Sequence, residues 1–200
     1  MDTVKELPKL KKLRHEMKKV LKESRYEHTL SVAYTAANLA SIYKVDVPKA
    51  LVAGMLHDCA KCLTDEERLH ICYEADIPVT PLEKKQPFLL HAKVGAYLAK
   101  TKYDIEDRDI LQSIASHTTG RPEMSNLEKI IFIADYMEPG RDHAPNLDTI
   151  RKEAFTNLDQ ALLHILTDTL AYLNSTDGEI DPQTELTWKY YDKLAIKQQF

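Results

Sequence analysis

Apolar residues recur every three to four positions along most of this chain, which is the spacing of one buried face of an α-helix. Near the start, the period runs through Leu10, Leu13, Met17 and Val20/Leu21. It continues over residues 25–43 through Leu30, Ala33, Ala37 and Ala40. No stretch alternates apolar and polar residues as a half-buried strand does, and only five glycines occur. The pattern therefore predicts an all-α fold.

Capping residues mark where several of these helices begin. Asp46, with Pro48 two residues later, starts the helix that leads to His57. A capping box is a Ser or Thr that is followed three residues later by Glu, and it occurs at Thr64–Glu67 and at Ser125–Glu128. Both boxes predict a helix start.

A long helix is predicted in the second half of the chain. Asp148 is expected to cap it and Leu173 to end it, because apolar residues keep the helical spacing between them. A last helix can begin at Thr184, past Pro182. Loops are expected between the helices, at residues 77–87, 118–124, 138–146 and 175–183.

Length and composition fit one globular domain over residues 1–200, with 44% hydrophobic residues. The net charge of −4 gives no general reason to expect a nucleic-acid partner. Seven basic residues between Lys9 and Lys22 are best explained as a solvated helix face, with steering of a polyphosphate as the alternative. There is no uncharged apolar run of about 18 residues and no apolar segment of a signal peptide. With three cysteines, an odd number, this predicts reduced thiols, a cytoplasmic location and no membrane partner.

Some metal-capable residues are assigned no role. Cys59 and Cys62 form a C-x-x-C pair, but a structural zinc site needs four ligands and Cys72 is the only other cysteine. A thioredoxin-type motif would need a βαβ setting, which the pattern lacks. Four histidines are expected to be ordinary structural residues, namely His15, His70, His143 and His164.

His57 and Asp58 stand side by side in an apolar stretch, residues 53–61, that is predicted to be a buried helix. A neutral imidazole and a carboxylate are preferred ligands of a catalytic divalent metal that keeps open positions. Adjacent helical side chains diverge by roughly 100° around the axis, so the pair alone cannot enclose an ion. Other segments must supply ligands, and the candidates are His28, His91, His117 and Asp135.

Two cationic residues accompany these candidates. Arg25 lies one helical turn before His28, where a guanidinium suits a phosphate. Lys61 follows the His57–Asp58 pair by one turn, so its ammonium can overhang both side chains. Lys61 could also simply face solvent at the end of the helix.

Asp135 ends the apolar run 130–134, where a carboxylate is unfavourable unless something pairs with it. The partner could be Arg141 or a metal. Because three other ligands are already proposed, the metal is favoured.

Several motifs of this chain resemble those of one family. His28, His57–Asp58 and Asp135 reproduce the H…HD…D pattern of the HD-domain metal-dependent phosphohydrolases. Longer motifs resemble the YqeK family, the HD-domain symmetrical diadenosine tetraphosphatases; they are Arg25-x-x-His28, Leu56-His57-Asp58-x-Ala60-Lys61, Leu90-His91-x-x-x-Gly95-Ala96, His117-Thr118-Thr119-Gly120 and Ala134-Asp135-Tyr136-x-Glu138-Pro139-x-Arg141. The resemblance covers about residues 14–190. It implies an HD-domain helical bundle with a metal site between helices.

The resemblance also implies roles for single residues. The first metal would be divalent, held by His28, His57, Asp58 and Asp135, and would be iron, with manganese or cobalt as substitutes. His91 and His117 would reach the phosphates and donate a proton to the leaving oxygen, or they would hold a second metal with Asp58 bridging. The substrate would be bound by Arg25, His28, His91, His117, Thr118, Arg141 and, in the loop 178–182, Ile180.

The implied reaction is the metal-dependent symmetrical hydrolysis of diadenosine tetraphosphate and related dinucleoside polyphosphates. A metal-bound hydroxide would attack a β-type phosphorus and give two ADP, while Lys61, Arg25 and Arg141 offset the charge. The expected partner is thus a small molecule, and a homodimer is left open. The alternatives are another HD phosphohydrolase (a nucleotidase or a guanosine polyphosphate hydrolase), an HD-type di-iron oxygenase, and a non-catalytic HD nucleotide-binding module. The last is disfavoured because all six candidate ligands are present.

Overall fold

The fold is built from α-helices. The computed structural model describes residues 3–176 and 179–197, and no strand occurs within these ranges. The helices are α1 (Thr3–Val20), α2 (Glu23–Ile42), α3 (Val47–Leu56), α4 (Asp65–Glu74), α5 (Pro81–Lys85), a 3₁₀ turn (Pro87–Leu90), α6 (His91–Thr101), α7 (Arg108–Ser116), α8 (Asn126–Met137), α9 (Leu147–Ala154), α10 (Leu158–Asn174) and α11 (Pro182–Lys197). Among these described helices, none has the length and apolar character needed to cross a membrane. The all-α prediction is confirmed, and α11 begins two residues before the predicted Thr184.

The predicted caps start the helices as expected. The Asp46 side chain accepts a hydrogen bond from the backbone N–H of Lys49 at 2.9 Å and starts α3. Complete capping boxes at Thr64 and Ser125 start α4 and α8. A third capping box, at Thr80, starts the short helix α5 inside a region that was predicted to be a loop. Local side-chain hydrogen bonds therefore set these boundaries.

The predicted long helix from Asp148 to Leu173 is wrong. Asp148 does not cap a helix, because α9 already begins at Leu147; α9 ends at Ala154, and α10 begins at Leu158 after its cap Asn157. The Asn157 side chain accepts hydrogen bonds from the N–H groups of Asp159 and Gln160, both at 3.1 Å. This cap satisfies donors that a helix start leaves without a partner. The break allows α10 to pack against α9 instead of extending it.

Helices α2 and α3 cross closely because a glycine lies at their contact. A Cβ placed on Gly54 of α3 would lie 2.7 Å from Cα and 3.1 Å from N of Ala33 in α2. Both are backbone atoms, so the two helices would have to move apart to make room. Gly54 also contributes to the site described below, because its carbonyl accepts a hydrogen bond from His57 at 2.7 Å.

Gly54→Ala should lower the free energy of unfolding by about 1–3 kcal/mol, the usual effect of overpacking a core. Urea denaturation followed by circular dichroism measures the change. Gly95→Ala is the matched control, since a Cβ there would meet its nearest atoms, His57 O and Ile114 Cγ2, only at 3.4 Å. We expect that control to be as stable as the wild type. Equal stability of all three proteins would mean that the helix crossing does not require glycine.

The buried core centres on α8. Ile130, Ile131 and Ile133 of this helix are fully buried, and the cluster around them draws side chains from most of the other helices. Asp135 lies two residues after Ile133 in α8, so this helix carries Asp135 from the core to the site described below.

Candidate metal centre

Six His and Asp side chains from five segments meet at one place; they are His28, His57, Asp58, His91, His117 and Asp135. Two come from within helices α2 and α8, and the others lie at helix ends. The prediction that the His57–Asp58 pair lies inside a buried helix is wrong, because α3 ends at Leu56 and the pair sits in the following turn. In this turn, both adjacent side chains reach the same centre.

The four residues predicted to hold the first ion lie together. His28, His57 and Asp58 present ligand atoms that are all within 4.8 Å of one another. Oδ1 of Asp135 lies 3.0 Å from Nε2 of His28 and 3.8 Å from Nε2 of His57. Asp135 therefore completes the group from the side of α8.

Asp58 also belongs to a second group with His91 and His117. The Nε2 atoms of these two histidines are 3.2 Å apart. They lie 3.5 Å and 3.6 Å from Oδ1 of Asp58. All three ligand atoms are near enough to one another to share an ion. Asp58 thus stands between two groups of ligands.

The ring nitrogens that face away from the centre are all hydrogen-bonded. Nδ1 of His57, His91 and His117 donates to the carbonyl three residues earlier, each time at 2.7 Å; the acceptors are Gly54, Phe88 and Ile114. Nδ1 of His28 donates instead to Glu138 at 3.1 Å. With the proton on Nδ1, the lone pair of Nε2 points into the centre, as a metal ligand requires.

Three polar atoms of the centre have no hydrogen-bond partner among the described residues: His28 Nε2, His57 Nε2 and Asp58 Oδ1. His28 Nε2 lies 3.0 Å from Oδ1 of Asp135, which is a further potential ligand atom. A buried polar group without a partner costs about 1–3 kcal/mol. Two imidazole lone pairs beside a carboxylate oxygen are the donor set of a divalent cation. The residues of the centre therefore fit a divalent metal ion.

Both carboxylates of the centre are ionised. Burial opposes the charge on Asp58, but the neighbouring His57 and His117 outweigh it and hold the pKa of Asp58 well below its usual range. Burial likewise opposes the charge on Asp135, yet the adjacent His28 and His57 lower its pKa. Ionised carboxylates are the form that binds metal.

The imidazoles differ in their affinity for a proton. Burial lowers the pKa of His57, and it lowers the pKa of His91 to about 3. Burial also disfavours the protonated form of His117, but the contact with Asp58 outweighs it and raises the pKa of His117. Lys61, whose Nζ lies 3.1 Å from Nε2 of His91, has its pKa lowered by burial. Burial thus favours the neutral form of His57 and His91, whereas the contact with Asp58 favours the protonated form of His117.

Three cationic side chains surround the carboxylates. Arg25 Nη1 donates to Oδ2 of Asp58 at 2.9 Å, and Arg141 Nη2 donates to Oδ1 of Asp135 at 3.2 Å. Lys61 Nζ lies 3.9 Å from Oδ1 of Asp58. Arg141 is therefore a direct partner of Asp135. All three cationic side chains are partly exposed, so solvent or a bound anion can reach them.

A cavity of about 170 Å³ opens beside the cluster. Its walls include His117, Thr118, Phe132, Asp135, Tyr136 and Arg141. Oγ1 of Thr118 also lies 3.2 Å from Nε2 of His91. Ile180 is half-buried just before α11 and does not line this cavity. Gly178, which belongs to the same predicted loop, lies outside the described residues.

One buried acid at the centre was not predicted from the sequence. Glu138 is 3% exposed, and its Oε2 accepts the backbone N–H of Gly140 at 2.6 Å. Burial opposes its charge, but the Ser31 hydroxyl, the His28 ring and the Gly140 N–H together hold the pKa of Glu138 below its usual value. The available signal was an acid placed directly before Pro139, at the end of an apolar helix.

Comparisons with known proteins agree with this site. The HD domain model matches residues 25–140, more than half of the chain, and this span contains all six clustered residues. The symmetrical bis(5'-nucleosyl)-tetraphosphatase of Bacillus subtilis (strain 168) is 41% identical over 174 residues, which are 87% of this chain and 92% of that protein. The enzyme of the same name from Staphylococcus aureus is 36% identical over 185 residues, 92% of this chain and 94% of that protein.

A solved structure has the same fold. The crystal structure of a protein from Clostridium acetobutylicum, described as a predicted HD superfamily hydrolase involved in NAD metabolism, matches with a TM-score of 0.89 and 40% identity. The match covers 92% of this chain and 97% of that chain. The resemblance seen in the sequence motifs is therefore confirmed. This chain belongs to the HD-domain family and, within it, to the symmetrical bis(5'-nucleosyl)-tetraphosphatases.

Proposed function

We propose that this chain is a metal-dependent hydrolase that splits diadenosine tetraphosphate and related dinucleoside polyphosphates symmetrically, with two ADP as products. One observation carries the proposal. The buried His/Asp cluster lies in a chain that is 36–41% identical, over most of its length, to enzymes named for this reaction. These relatives support the symmetrical reaction over a nucleotidase, a guanosine polyphosphate hydrolase, an oxygenase or a non-catalytic module.

The first ion would be held by His28, His57, Asp58 and Asp135, and we propose that it is iron, with manganese or cobalt as substitutes. When bound, such an ion lowers the pKa of coordinated water and polarises a phosphoryl oxygen. Asp58, His91 and His117 could hold a second ion, which the short distances between their ligand atoms favour.

Arg25, Arg141 and Lys61 would bind the phosphates. A guanidinium carries five N–H donors, so each arginine can keep its bond to a carboxylate and still donate to a phosphate oxygen. Their partial exposure leaves these donors accessible. Together the three cations offset the charge of the tetraphosphate and the charge that develops on the departing ADP.

His117 is the better proton donor of the two inner histidines. Its pKa is raised by Asp58, so its Nε2 can carry a proton to the leaving oxygen. His91 has a pKa of about 3 and is neutral. Its Nε2 lies within 3.2 Å of Lys61 and Thr118, so its single lone pair can accept from either group and orient it toward a phosphate.

Part of one nucleoside diphosphate half would enter the cavity beside His117, because its volume of about 170 Å³ is below the roughly 300 Å³ of a small ligand pocket. Phe132 and Tyr136 provide apolar walls there, and Thr118 and Arg141 provide polar ones. Held by Arg25, His117, Thr118 and Arg141, this half would place the second phosphorus near the metal ligands, which would make the cleavage symmetrical. Contact of Ile180 with the nucleoside, a cytoplasmic location, a homodimer and one HD-type domain over residues 1–200 stay predictions.

Hydrolysis of diadenosine tetraphosphate in water labelled with heavy oxygen tests the reaction. We expect two ADP per substrate with only one of them labelled, because water adds to one phosphorus and the other product leaves with the bridging oxygen. Chromatography with mass spectrometry measures both products. AMP plus ATP would mean that the α phosphorus is attacked, and free phosphate would indicate a phosphomonoesterase. Either result would refute symmetrical cleavage.

A further inference from the structure

His28 differs from the other three histidines of the centre in what holds its ring. His57, His91 and His117 each follow directly on a helical segment, where the carbonyl three residues back is within reach of Nδ1. His28 lies inside α2, where backbone carbonyls are engaged in the helix itself. Its ring therefore needs an acceptor from elsewhere in the fold. Glu138, which is 110 residues away in sequence, provides it.

The end of α8 contacts both nitrogens of the His28 ring. Oδ1 of Asp135 lies 3.0 Å from Nε2, and Oε1 of Glu138 lies 3.1 Å from Nδ1. A carboxylate can only accept, so Nδ1 carries a proton toward Glu138. Nε2 faces a second acceptor, Asp135, so a divalent ion between them would take the place of a proton on Nε2 and use its lone pair.

We propose that Glu138 is a positioning residue, which fixes the tautomer and the orientation of His28 and thereby sets the affinity of the centre for its divalent metal. This inference rests on the proposed function of the cluster as a metal centre. Glu138 faces the ring nitrogen that points away from the cluster, so it acts through His28. It has no place among the residues proposed to bind substrate.

The Glu138 carboxylate is itself held at both oxygens. Oε2 accepts the N–H of Gly140 at 2.6 Å, while Oε1 accepts from His28. A Cβ on Gly140 would lie 2.9 Å from Oε2 and 3.1 Å from Oε1, so this glycine leaves room for the carboxylate. Arg151 fixes the turn by donating to three of its carbonyls at 2.9–3.1 Å, those of Met137, Glu138 and Arg141.

Glu138→Gln tests the proposal with a side chain of the same size. Glutamine has one acceptor oxygen and one NH₂ group, so it cannot accept from both His28 and Gly140. If the NH₂ group faces His28, Nδ1 must become the acceptor and the ring proton moves to Nε2, where it blocks the metal. We expect the dissociation constant for Mn²⁺ or Co²⁺ to rise roughly 10–100-fold, the usual effect of losing a partner of a metal-binding histidine.

The measurement is competition between the full-length metal-loaded protein and a chelator, together with kcat and KM for diadenosine tetraphosphate at excess metal. We expect KM to stay unchanged, because Glu138 does not touch the substrate in this proposal. Glu153→Gln is the matched control. Glu153 accepts from Nδ1 of His164 at 2.9 Å, the same kind of pair outside the cluster. The metal affinity of Glu153→Gln should equal that of the wild type.

Gly140→Ala provides a second variant, since its methyl group displaces the Glu138 carboxylate without removing it. It should weaken metal binding in the same direction, and it carries the test if Glu138→Gln does not fold. If folded Glu138→Gln bound metal as tightly as the wild type, the proposal would be overturned. If Glu138→Gln does not fold, wild-type affinity in Gly140→Ala would overturn it instead. An equal loss of affinity in Glu153→Gln would overturn it too. Absence of ADP from the wild-type protein would instead refute only the proposed function, because metal affinity is measured without substrate.

Discussion

Asp58→Ala should lose its bound metal and cut turnover roughly a thousandfold or more, while the protein stays helical. Asp58 belongs to both groups of potential ligands, so its removal weakens either ion. Its loss also leaves Arg25 without its carboxylate partner at 2.9 Å, which places an uncompensated positive charge where the metal should bind. His57→Ala should lose metal and activity together, because His57 is a proposed ligand of the first ion.

Metal analysis of the purified variants, chromatography of ADP and circular dichroism check this expectation. Asp58→Asn keeps the shape of the side chain and removes its charge, so it separates the electrostatic effect from the cavity left by alanine. Asp109→Asn is a suitable control, because Asp109 pairs with Lys49 at 3.4 Å on an exposed surface. If Asp58→Ala kept wild-type metal content and turnover, the assignment of the centre would be wrong.

His117→Ala should retain the first ion almost normally but reduce turnover by roughly a hundredfold or more. Its Nε2 lies 3.6 Å from Asp58 and 3.2 Å from His91, within the second group of ligands. The residue therefore supports proton transfer or charge binding more than retention of the first ion. Metal content and kcat, measured on the same preparation, separate the two effects.

His117→Gln and His164→Gln sharpen this test. Glutamine at position 117 keeps polar contacts but cannot carry a titrating proton, so it should be nearly as slow as the alanine variant. His164 is a partly buried histidine that pairs with Glu153 outside the cluster, and its variant should have normal turnover. Loss of all metal from His117→Ala would make His117 a primary ligand. Loss of one of two ions would assign it to a second metal site.

The sequence predicts much of this fold because the deciding interactions are local. The caps at Asp46, Thr64 and Ser125 act over three residues, and the apolar period needs only neighbouring turns. The break at Asn157 escaped prediction because a single polar residue in an amphipathic pattern does not reveal that its side chain turns back on the next helix. The end of α3 before His57 also escaped prediction, because the apolar pattern continues past it.

The site was predictable in its residue types but not in its geometry. An adjacent His57 and Asp58 in an apolar stretch suggested a metal, and the motifs narrowed the choice of further ligands. Distances between α2 and α8 depend on packing across the whole core, so no local pattern reports them. The pairing of His28 with Glu138 spans 110 residues and became visible only in the folded chain.

The hydrogen bonds from His57, His91 and His117 to the carbonyls three residues earlier have a consequence for protein design. Each of these rings is aimed by its own short segment, so a helix end followed by histidine is a portable unit that supplies a pre-aimed imidazole. Only the contribution of α2 depends on a distant acceptor. A new scaffold could therefore acquire most of such a centre by placing three helix ends around one carboxylate, without copying the core that surrounds them here.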